Sequence, residues 1–280
     1  MLRKVLLATV IGLAVVIAVG FYLRLKEPAP VGGDLIVRQK QVEDGGKTPI
    51  KTDSSVPAVV KEINERNAGV SSFSCEDLEI KVWQGGHRYR LTGVMYYEKP
   101  KNFRLQIDSI MGRELDLGSN GEMFWYWSRR DKNPGLHYAK HEDFIKTKLK
   151  TPFNPIFMKA TLGLEVFEPR NAKFTESDKD VMVTYAGFGG TGRPVLYSAF
   201  VNKEKKRIDG YLVTDDKGKV LVSCEIQEHS GYNPKSILYT WYEEDKVMLM
   251  KFGKTANNPK LKASYWGMPD YKPQINMVTE

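Results

Sequence analysis

The sequence predicts an α+β domain whose main element is an incomplete antiparallel β-barrel of about ten or eleven strands, covered by a helical lid. Three observations support this fold class. Apolar and polar residues alternate in short segments after Ser71, as in strands with one buried face. Turn residues separate most of these segments by a few positions, which favours antiparallel neighbours. Helical spacing interrupts the series at 141–163, and so many twisted strands curl toward a barrel that inserted helices can cover.

The first residues carry a membrane-targeting pattern. Arg3 and Lys4 precede an uncharged apolar run at 5–23, which is about as long as the ~20-residue helix that crosses a hydrocarbon core. Residues 1–26 are therefore predicted to be a transmembrane signal anchor or a signal peptide, and small residues such as Ala18 and Gly20 leave cleavage open. Either interpretation places the rest of the chain in the periplasm, and a retained anchor would hold it to the inner membrane.

The next part of the chain changes composition twice. Residues 27–55 are rich in Pro, Gly, Lys and Asp without a sustained apolar period, which predicts a flexible tether. Apolar residues then recur at helical spacing from Val56 to Ile63, with Pro57 in the first turn and Gly69 as a stop. We therefore expect the folded domain to span 56–280 and to begin with a short amphipathic helix.

The strands are predicted from alternation and from turns. An antiparallel meander is expected at 78–82, 89–97 and 103–107. Asn120 and Gly121 form a strong hairpin signal after the following strand. The further strands are predicted at 114–117, 123–127, 181–185, 195–201, 208–214, 220–226, 237–242 and 247–252.

Patterns that would indicate catalysis are weak. Residues 187–192 spell G-x-G-x-x-G, but a strand pattern follows in place of the helix that a dinucleotide site requires. His137 and His141 lack a third metal ligand, and Ser119 lacks the nucleophile elbow of hydrolases. We therefore expect no catalytic residue, no metal site and no cofactor.

Charge and cysteine content limit the partners and the scaffold. A net charge of +8, partly from the first residues, describes a mildly basic surface and no nucleic-acid-binding stripe. Two Cys exclude a disulfide-dense scaffold. Cys75 and Cys224 could pair in an oxidising compartment, and Cys224 fits a core thiol equally well.

Large aromatic residues are the most informative feature of the strands. The segment 123–127 is apolar on both faces, and a single sheet buries only one face unless something covers the other. Pure packing and a ligand cavity are both open explanations.

Three motifs carry a family resemblance. They are the segments 97–105, 114–127 and 265–269, which read YEKPKNFRL, ELDLGSNGEMFWYW and YWGMP. Together they resemble the LolA/LolB-like lipoprotein-carrier superfamily over about 56–269, in particular the membrane-tethered members of planctomycete-type bacteria. The resemblance implies a half-barrel with a lid and an apolar cavity for acyl chains. It assigns a lid latch to Lys99, where the carriers have Arg, and the missing lipobox Cys argues against the outer-membrane receptor role.

The predicted function is non-enzymatic binding of a lipid or lipoprotein acyl chain in the cell envelope. In water a 16-carbon chain is unfavourable by on the order of 12 kcal/mol, so a carrier must offer an apolar, covered site. The residues expected to line the cavity are Leu91, Phe103, Leu105, Trp125 and Trp127. The residues expected on the lid are Phe157, Met158 and Leu162.

Three alternatives remain from the sequence. The first is a lipid-sensing regulatory module of the same fold that binds an envelope membrane protein. The second is an enzyme acting on envelope polymers, which would need convergent carboxylates or a His-Cys pair. The third is a structural envelope protein with a filled core.

Overall fold

The computed structural model describes residues 29–45, 56–131, 135–147, 160–189 and 192–279. The predicted signal anchor at 1–26 lies outside these ranges. Within them, no helix combines the length and the apolar character needed to cross a membrane.

One long sheet and two α-helices make up the described fold. The helices are α1 (Asp34–Gly45) and α2 (Ala58–Ala68). The strands are β1 (Ser72–Gln84), β2 (His87–Glu98), β3 (Asn102–Ser109), β4 (Gly112–Ser119), β5 (Met123–Ser128), β6 (Leu136–Lys140), β7 (Lys173–Glu176), β8 (Asp180–Phe188), β9 (Pro194–Asn202), β10 (Arg207–Asp215), β11 (Val220–Ser230), β12 (Asn233–Trp241), β13 (Lys246–Phe252), β14 (Thr255–Asn257) and β15 (Gln274–Asn276).

The sheet consists of two antiparallel meanders joined along β1 and β13. Its strand order is β15-β6-β5-β4-β3-β2-β1-β13-β12-β11-β10-β9-β8-β7, and β14 pairs with β1 beside this path. Among the described strands, β15 and β7 are the two edges, so the sheet is open as predicted. The prediction of ten or eleven strands was too low, because β6, β7, β14 and β15 are too short to show a clear alternation.

The chain leaves the sheet at one edge and returns at the other. Strand β6 ends at Lys140, whereas β7 begins at Lys173 on the far side of the sheet. A 3₁₀ turn (His141–Lys146) opens the connection, and a second one (Pro169–Asn171) precedes β7. Residues 148–159 of the predicted helical interruption lie outside the described residues. The connection therefore joins strands at opposite ends of the sheet.

One face of the sheet, the inner face, surrounds the main core. Alternate side chains of both meanders join one buried cluster, for example Ile80, Leu105, Val183 and Tyr239. Because strands far apart in the sheet share this cluster, the sheet must curve around it. Helix α2 adds Val60 and Ile63 to the same cluster and ends before Gly69, as predicted.

Helix α1 lies on the opposite, outer face and corrects the predicted tether over 34–45. Leu35 and Val42 pack against outer-face side chains of β8, β9 and β10. The Arg38 guanidinium contacts Asp180 at 2.5 Å and Asp209 at 3.2 Å. The sequence did not predict this helix because two apolar anchors and distant ion-pair partners leave no periodic signal.

Candidate functional site

The inner face is covered by a segment that forms no strand. We call residues 160–167 the cover segment. Its apolar side chains Ala160, Leu162, Leu164 and Phe167 all belong to the main buried cluster. Ala160 is helical, 161–163 form a turn, and 164–167 make no helix or strand, so the backbone of the segment is only weakly tied to the sheet.

Two amide side chains of α2 fasten the cover segment. Asn67 is buried and donates from Nδ2 to the carbonyl oxygens of Gly163 and Glu165, both at 2.8 Å. Asn64 forms a reciprocal pair with the backbone of Phe167, donating to its oxygen at 2.9 Å and accepting from its nitrogen at 2.8 Å. Hydrogen bonds of this kind satisfy backbone groups that a strand or helix would otherwise pair.

Lys99 contacts the carboxyl end of α2, next to this fastening. Its Nζ donates to the Asn67 carbonyl oxygen at 2.6 Å and lies 3.4 Å from that of Ala68. A cation at a helix carboxyl terminus is favourable because the last carbonyls lack intrahelical partners. The described contacts of Lys99 therefore reach the cover segment through Asn67.

A carboxylate and several tyrosines meet where the cover segment borders β8. The Tyr185 hydroxyl donates to the Glu165 carboxylate, with both oxygens at 3.1 Å. Burial, and then the charge of Glu165, raise the pKa of Tyr97 and of Tyr197 to about 12. The same two causes raise the pKa of Tyr185. These phenols therefore remain protonated hydrogen-bond donors at neutral pH.

Three of the predicted cavity-lining residues share the inner face. Phe103 and Leu105 are buried members of the main cluster, and Leu91 packs against it while half-buried. Leu105 pairs with Met95 and Leu117 on the two neighbouring strands, and all three side chains lie on the inner face. The structure thus brings these three side chains to the surface that the cover segment occupies.

Trp125 and Trp127 lie on the outer face. The prediction that they line the cavity beside the other three residues was therefore wrong. Trp125 pairs with Gly118 and Trp127 pairs with Asp116, both of which point away from the main cluster. Side chains alternate along a strand, and a shift of one residue therefore moves a whole set to the other face. Alternation alone could not decide between the two faces of a segment as uniformly apolar as 123–127.

The C-terminal segment, residues 259–279, covers these outer-face aromatics. Tyr271 stacks on Trp127 with ring centroids 4.7 Å apart, and Tyr265 stacks on Tyr96 at 4.3 Å. Strand β15 of this segment extends the sheet by pairing in parallel with β6. The aromatic content of β5 is therefore explained by packing on both faces.

The motifs that carry the family resemblance converge under the C-terminal segment. Arg104 donates to the fully buried Asp116 carboxylate at 2.7 Å and to the Gly267 carbonyl at 2.8 Å. Asn120 donates to the Trp266 carbonyl at 3.4 Å. Arg104, Asp116 and Asn120 thus hold the C-terminal segment on the outer face, and they do not line the inner face.

The predicted lid residues are only partly described. Leu162 lies in the cover segment and is fully buried. Phe157 and Met158 lie outside the described residues.

Surface pockets occur on other parts of the described structure. A pocket of about 230 Å³ borders Glu165, Phe167 and Tyr185 at the end of the cover segment. A larger one, of about 600 Å³, lies on the outer face beside α1 near Met182 and Ser198. None of the residues predicted to line the cavity lines either of these two pockets.

The reactive groups of Ser119, His141 and the two cysteines are hydrogen-bonded to the backbone or buried. Ser119 Oγ donates to the Lys101 carbonyl, and the nearby His141 Nε2 lies 2.8 Å from the Asn120 carbonyl oxygen. Cys75 and Cys224 are buried free thiols, and burial raises the pKa of both. In the described ranges, no group of His, Cys, Asp or Glu side chains could hold a metal ion.

Comparison with known proteins shows the fold. No family model and no curated protein matches the sequence. A candidate outer membrane lipoprotein-sorting protein domain from Vibrio parahaemolyticus superposes with a TM-score of 0.51 and 11% identity, covering 74% of this chain and 94% of that one. A DUF1329 family protein from Desulfovibrio piger gives 0.50 and 7%, covering 75% and 94%.

A LolA superfamily protein from Nitrosomonas europaea is also among the structural neighbours, with a TM-score of 0.49, 11% identity and coverage of 76% and 99%. The structures from Vibrio parahaemolyticus and Desulfovibrio piger show that this chain shares their fold. The resemblance to the LolA/LolB-like superfamily is thus supported at the level of the fold alone.

Proposed function

We propose that this protein binds a lipid or lipoprotein acyl chain on the inner face of its sheet and does not alter it chemically. The observation that carries the proposal is the cover segment, an irregular stretch of chain packed on a continuous apolar face. Few backbone hydrogen bonds break when such a segment moves, whereas a paired strand would lose a whole ladder. Hydrocarbon could therefore replace the cover segment and keep the inner face dry.

The roles of individual residues follow from their places in the fold. We assign Leu91, Phe103 and Leu105 to the wall that contacts the acyl chain. Leu162 belongs to the lid, together with the predicted lid residues Phe157 and Met158. Lys99 acts as the latch by holding the end of α2 from which Asn67 binds the cover segment.

The location of this activity is proposed from the amino terminus. The apolar run at 5–23 and the fold shared with a lipoprotein-sorting domain support a periplasmic domain anchored to the inner membrane. Its partners would be the lipid or lipoprotein cargo, the inner membrane and an envelope membrane protein.

A structural envelope protein is the second candidate. It is favoured by the dense packing of the inner face, where Ile80, Val183, Ile237 and Leu162 are all fully buried. In that case the cover segment would be permanent core, and no ligand would enter.

Native mass spectrometry of the full chain purified from bacterial envelopes tests the proposal. We expect lipid or acyl adducts on the wild type and on Thr92→Asp, which changes an exposed outer-face residue. Leu91→Asp, its neighbour on the inner face, should lose at least about 10-fold in occupancy, because a charge would lie against hydrocarbon. Repeated absence of adducts from the wild type would overturn the proposal and favour the structural candidate.

A further inference from the structure

We infer that the outer face of the sheet binds a short acidic oligosaccharide in the pocket of about 600 Å³ beside α1, which we call the outer groove. Its lining comes from α1, from Asn171 and from the outer-face side chains of β7 to β10. The volume lies within the range of about 300 to 1,000 Å³ that small-molecule sites occupy. The sheet separates the outer groove from the inner face, so this ligand would not compete with an acyl chain.

Short hydroxyl side chains create the outer groove. Lys173 of β7 pairs with Thr184 of β8, and Thr184 pairs with Ser198 of β9, so the three form one row across the outer face. In the next row, the larger Met182 and Phe200 pack beneath α1. The groove is therefore present because small polar residues stand where bulky apolar ones would have continued the packing against α1.

Most polar groups of the lining are uncharged and can both donate and accept hydrogen bonds. The hydroxyls of Thr184 and Ser198 are 3.0 Å apart, and their bond leaves one donor and several lone pairs for a ligand. Sugar hydroxyls have the same double capacity, whereas a hydrocarbon chain would bury these groups without partners. The hydroxyl and amide residues of the lining are Thr175, Thr184, Ser198, Thr214, Gln39 and Asn171.

An exposed apolar surface adjoins these polar groups. Ala186 and Leu196 pair between β8 and β9 and line the outer groove, and Leu196 is 38% exposed. Phe188 lies two residues further along β8 on the same face, about 7 Å beyond Ala186, and is 51% exposed. Such a surface can contact the C–H groups on the face of a sugar ring. Because the groove and Phe188 together extend beyond one ring, we expect at least two sugar units.

The charge of the outer groove favours an acidic group on the ligand. Of the described lining residues, Lys173 alone carries a full charge. The carboxylates of Asp180 and Asp209 beneath α1 are bound by Arg38. A carboxylate or phosphate would therefore meet a favourable potential beside Lys173. A single ammonium group does not form the basic stripe that a nucleic acid requires.

An array of short oligosaccharides, with and without a carboxylate or phosphate, tests this inference on the labelled full chain in nanodiscs. We expect binding to acidic members and at least about 5-fold weaker binding to their neutral counterparts. Thr184→Val and Lys173→Met should each weaken binding about 5-fold, because each removes one hydrogen-bonding group. Thr92→Val and Lys179→Met change exposed residues away from the groove and should leave affinity unchanged.

Hydrogen exchange of the wild type locates the ligand without relying on a variant. Exchange at 34–45 and in β7 to β9 should fall when the saccharide binds, whereas exchange at 160–167 should stay the same. Absence of binding to every oligosaccharide, equal affinity of Thr184→Val, Lys173→Met and the wild type, or protection at 160–167 alone would overturn the inference. Each of these outcomes leaves acyl-chain binding on the inner face unaffected.

Two sources could supply such a saccharide, a glycolipid headgroup and a polysaccharide chain. Nanodiscs that contain a glycolipid with the bound saccharide as its headgroup separate them. Displacement of the free oligosaccharide would assign the outer groove to the headgroup, and continued binding of the free oligosaccharide would assign it to the polysaccharide.

Discussion

The indole of Trp125 lies on the bare backbone of Gly118 in the neighbouring strand, where the two residues form a cross-strand pair. A Cβ atom at position 118 would overlap the indole ring. This contact explains why a glycine stands in the middle of β4, where its missing side chain otherwise weakens a strand. It also fixes Trp125 on the outer face.

Gly118→Ala should therefore destabilise the protein by about 1 to 3 kcal/mol, because the added methyl group overpacks the strand pair. Chemical denaturation monitored by tryptophan fluorescence measures this. Gly121→Ala is the matched control, since a Cβ atom there meets nothing within 4 Å. Equal stability of the two variants would contradict the described contact.

Arg38 is expected to hold α1 on the sheet. Arg38→Met should lower the free energy of unfolding by about 2 to 4 kcal/mol, because it leaves the largely buried carboxylate of Asp180 without this cation and removes one of the two arginines that contact Asp209. Limited proteolysis should then cut within 34–45 sooner than in the wild type. Lys40→Met, on the exposed side of the same helix, should change neither result.

Loss of the Lys99 ammonium should loosen the end of α2. We expect Lys99→Met to reduce stability by about 1 to 2 kcal/mol, since its donation to the Asn67 carbonyl disappears. Hydrogen exchange should increase at 58–68 and at 160–167, the two segments joined by Asn67. Lys101→Met serves as the control because Lys101 is an exposed residue of the same turn. Unchanged exchange in both segments would argue against the latch.

Removal of an outer-face ring should release the C-terminal segment without affecting ligand binding. Trp127→Ala removes the ring on which Tyr271 stacks, so trypsin should cleave more readily after Lys260 or Lys262. Affinity for an acyl probe should stay within about 2-fold of the wild type, whereas Phe103→Ala on the inner face should weaken it. A large loss of affinity in Trp127→Ala would show that Trp127 does contribute to ligand binding.

Alkaline pH should destabilise the inner face through its tyrosines. The pKa of Tyr97 and of Tyr197 is raised to about 12 from an ordinary value of 10.0. The unfolded chain thus releases these protons at lower pH, so stability is full below about pH 10 and falls as pH rises toward about 12. Absorbance of phenolate during a pH titration should follow unfolding. Glu165→Gln should shift this ionisation to lower pH, because the negative charge near both phenols is gone.

The sequence was sufficient for the elements whose partners are adjacent in the chain. Alternation and turns predicted β1 to β5 and β8 to β13, and the spacing of Val56 to Ile63 predicted α2 with its end at Gly69. Each of these depends on local periodicity or on a neighbouring hairpin. The open edge of the sheet followed from the number of strands and the helical interruption.

Features that depend on distant contacts were not predictable in the same way. Helix α1 relies on Asp180 and Asp209, and the C-terminal segment relies on Trp127 and Tyr96. One feature of the sequence did indicate on which face of the sheet Trp125 lies. A two-residue turn at Asn120 and Gly121 pairs Gly118 with Met123, so Trp125 shares the face of Gly118, and a glycine beside a large ring suggests close ring-to-backbone packing.

The pairing of β1 with β13 also has a kinetic consequence. Ile80 pairs with Met250, so about 170 residues of chain separate these two partners. Loop closure over roughly 170 residues is entropically slow compared with hairpin formation. We therefore expect each meander to assemble early as a local unit and the joining of the two halves to be the slower step.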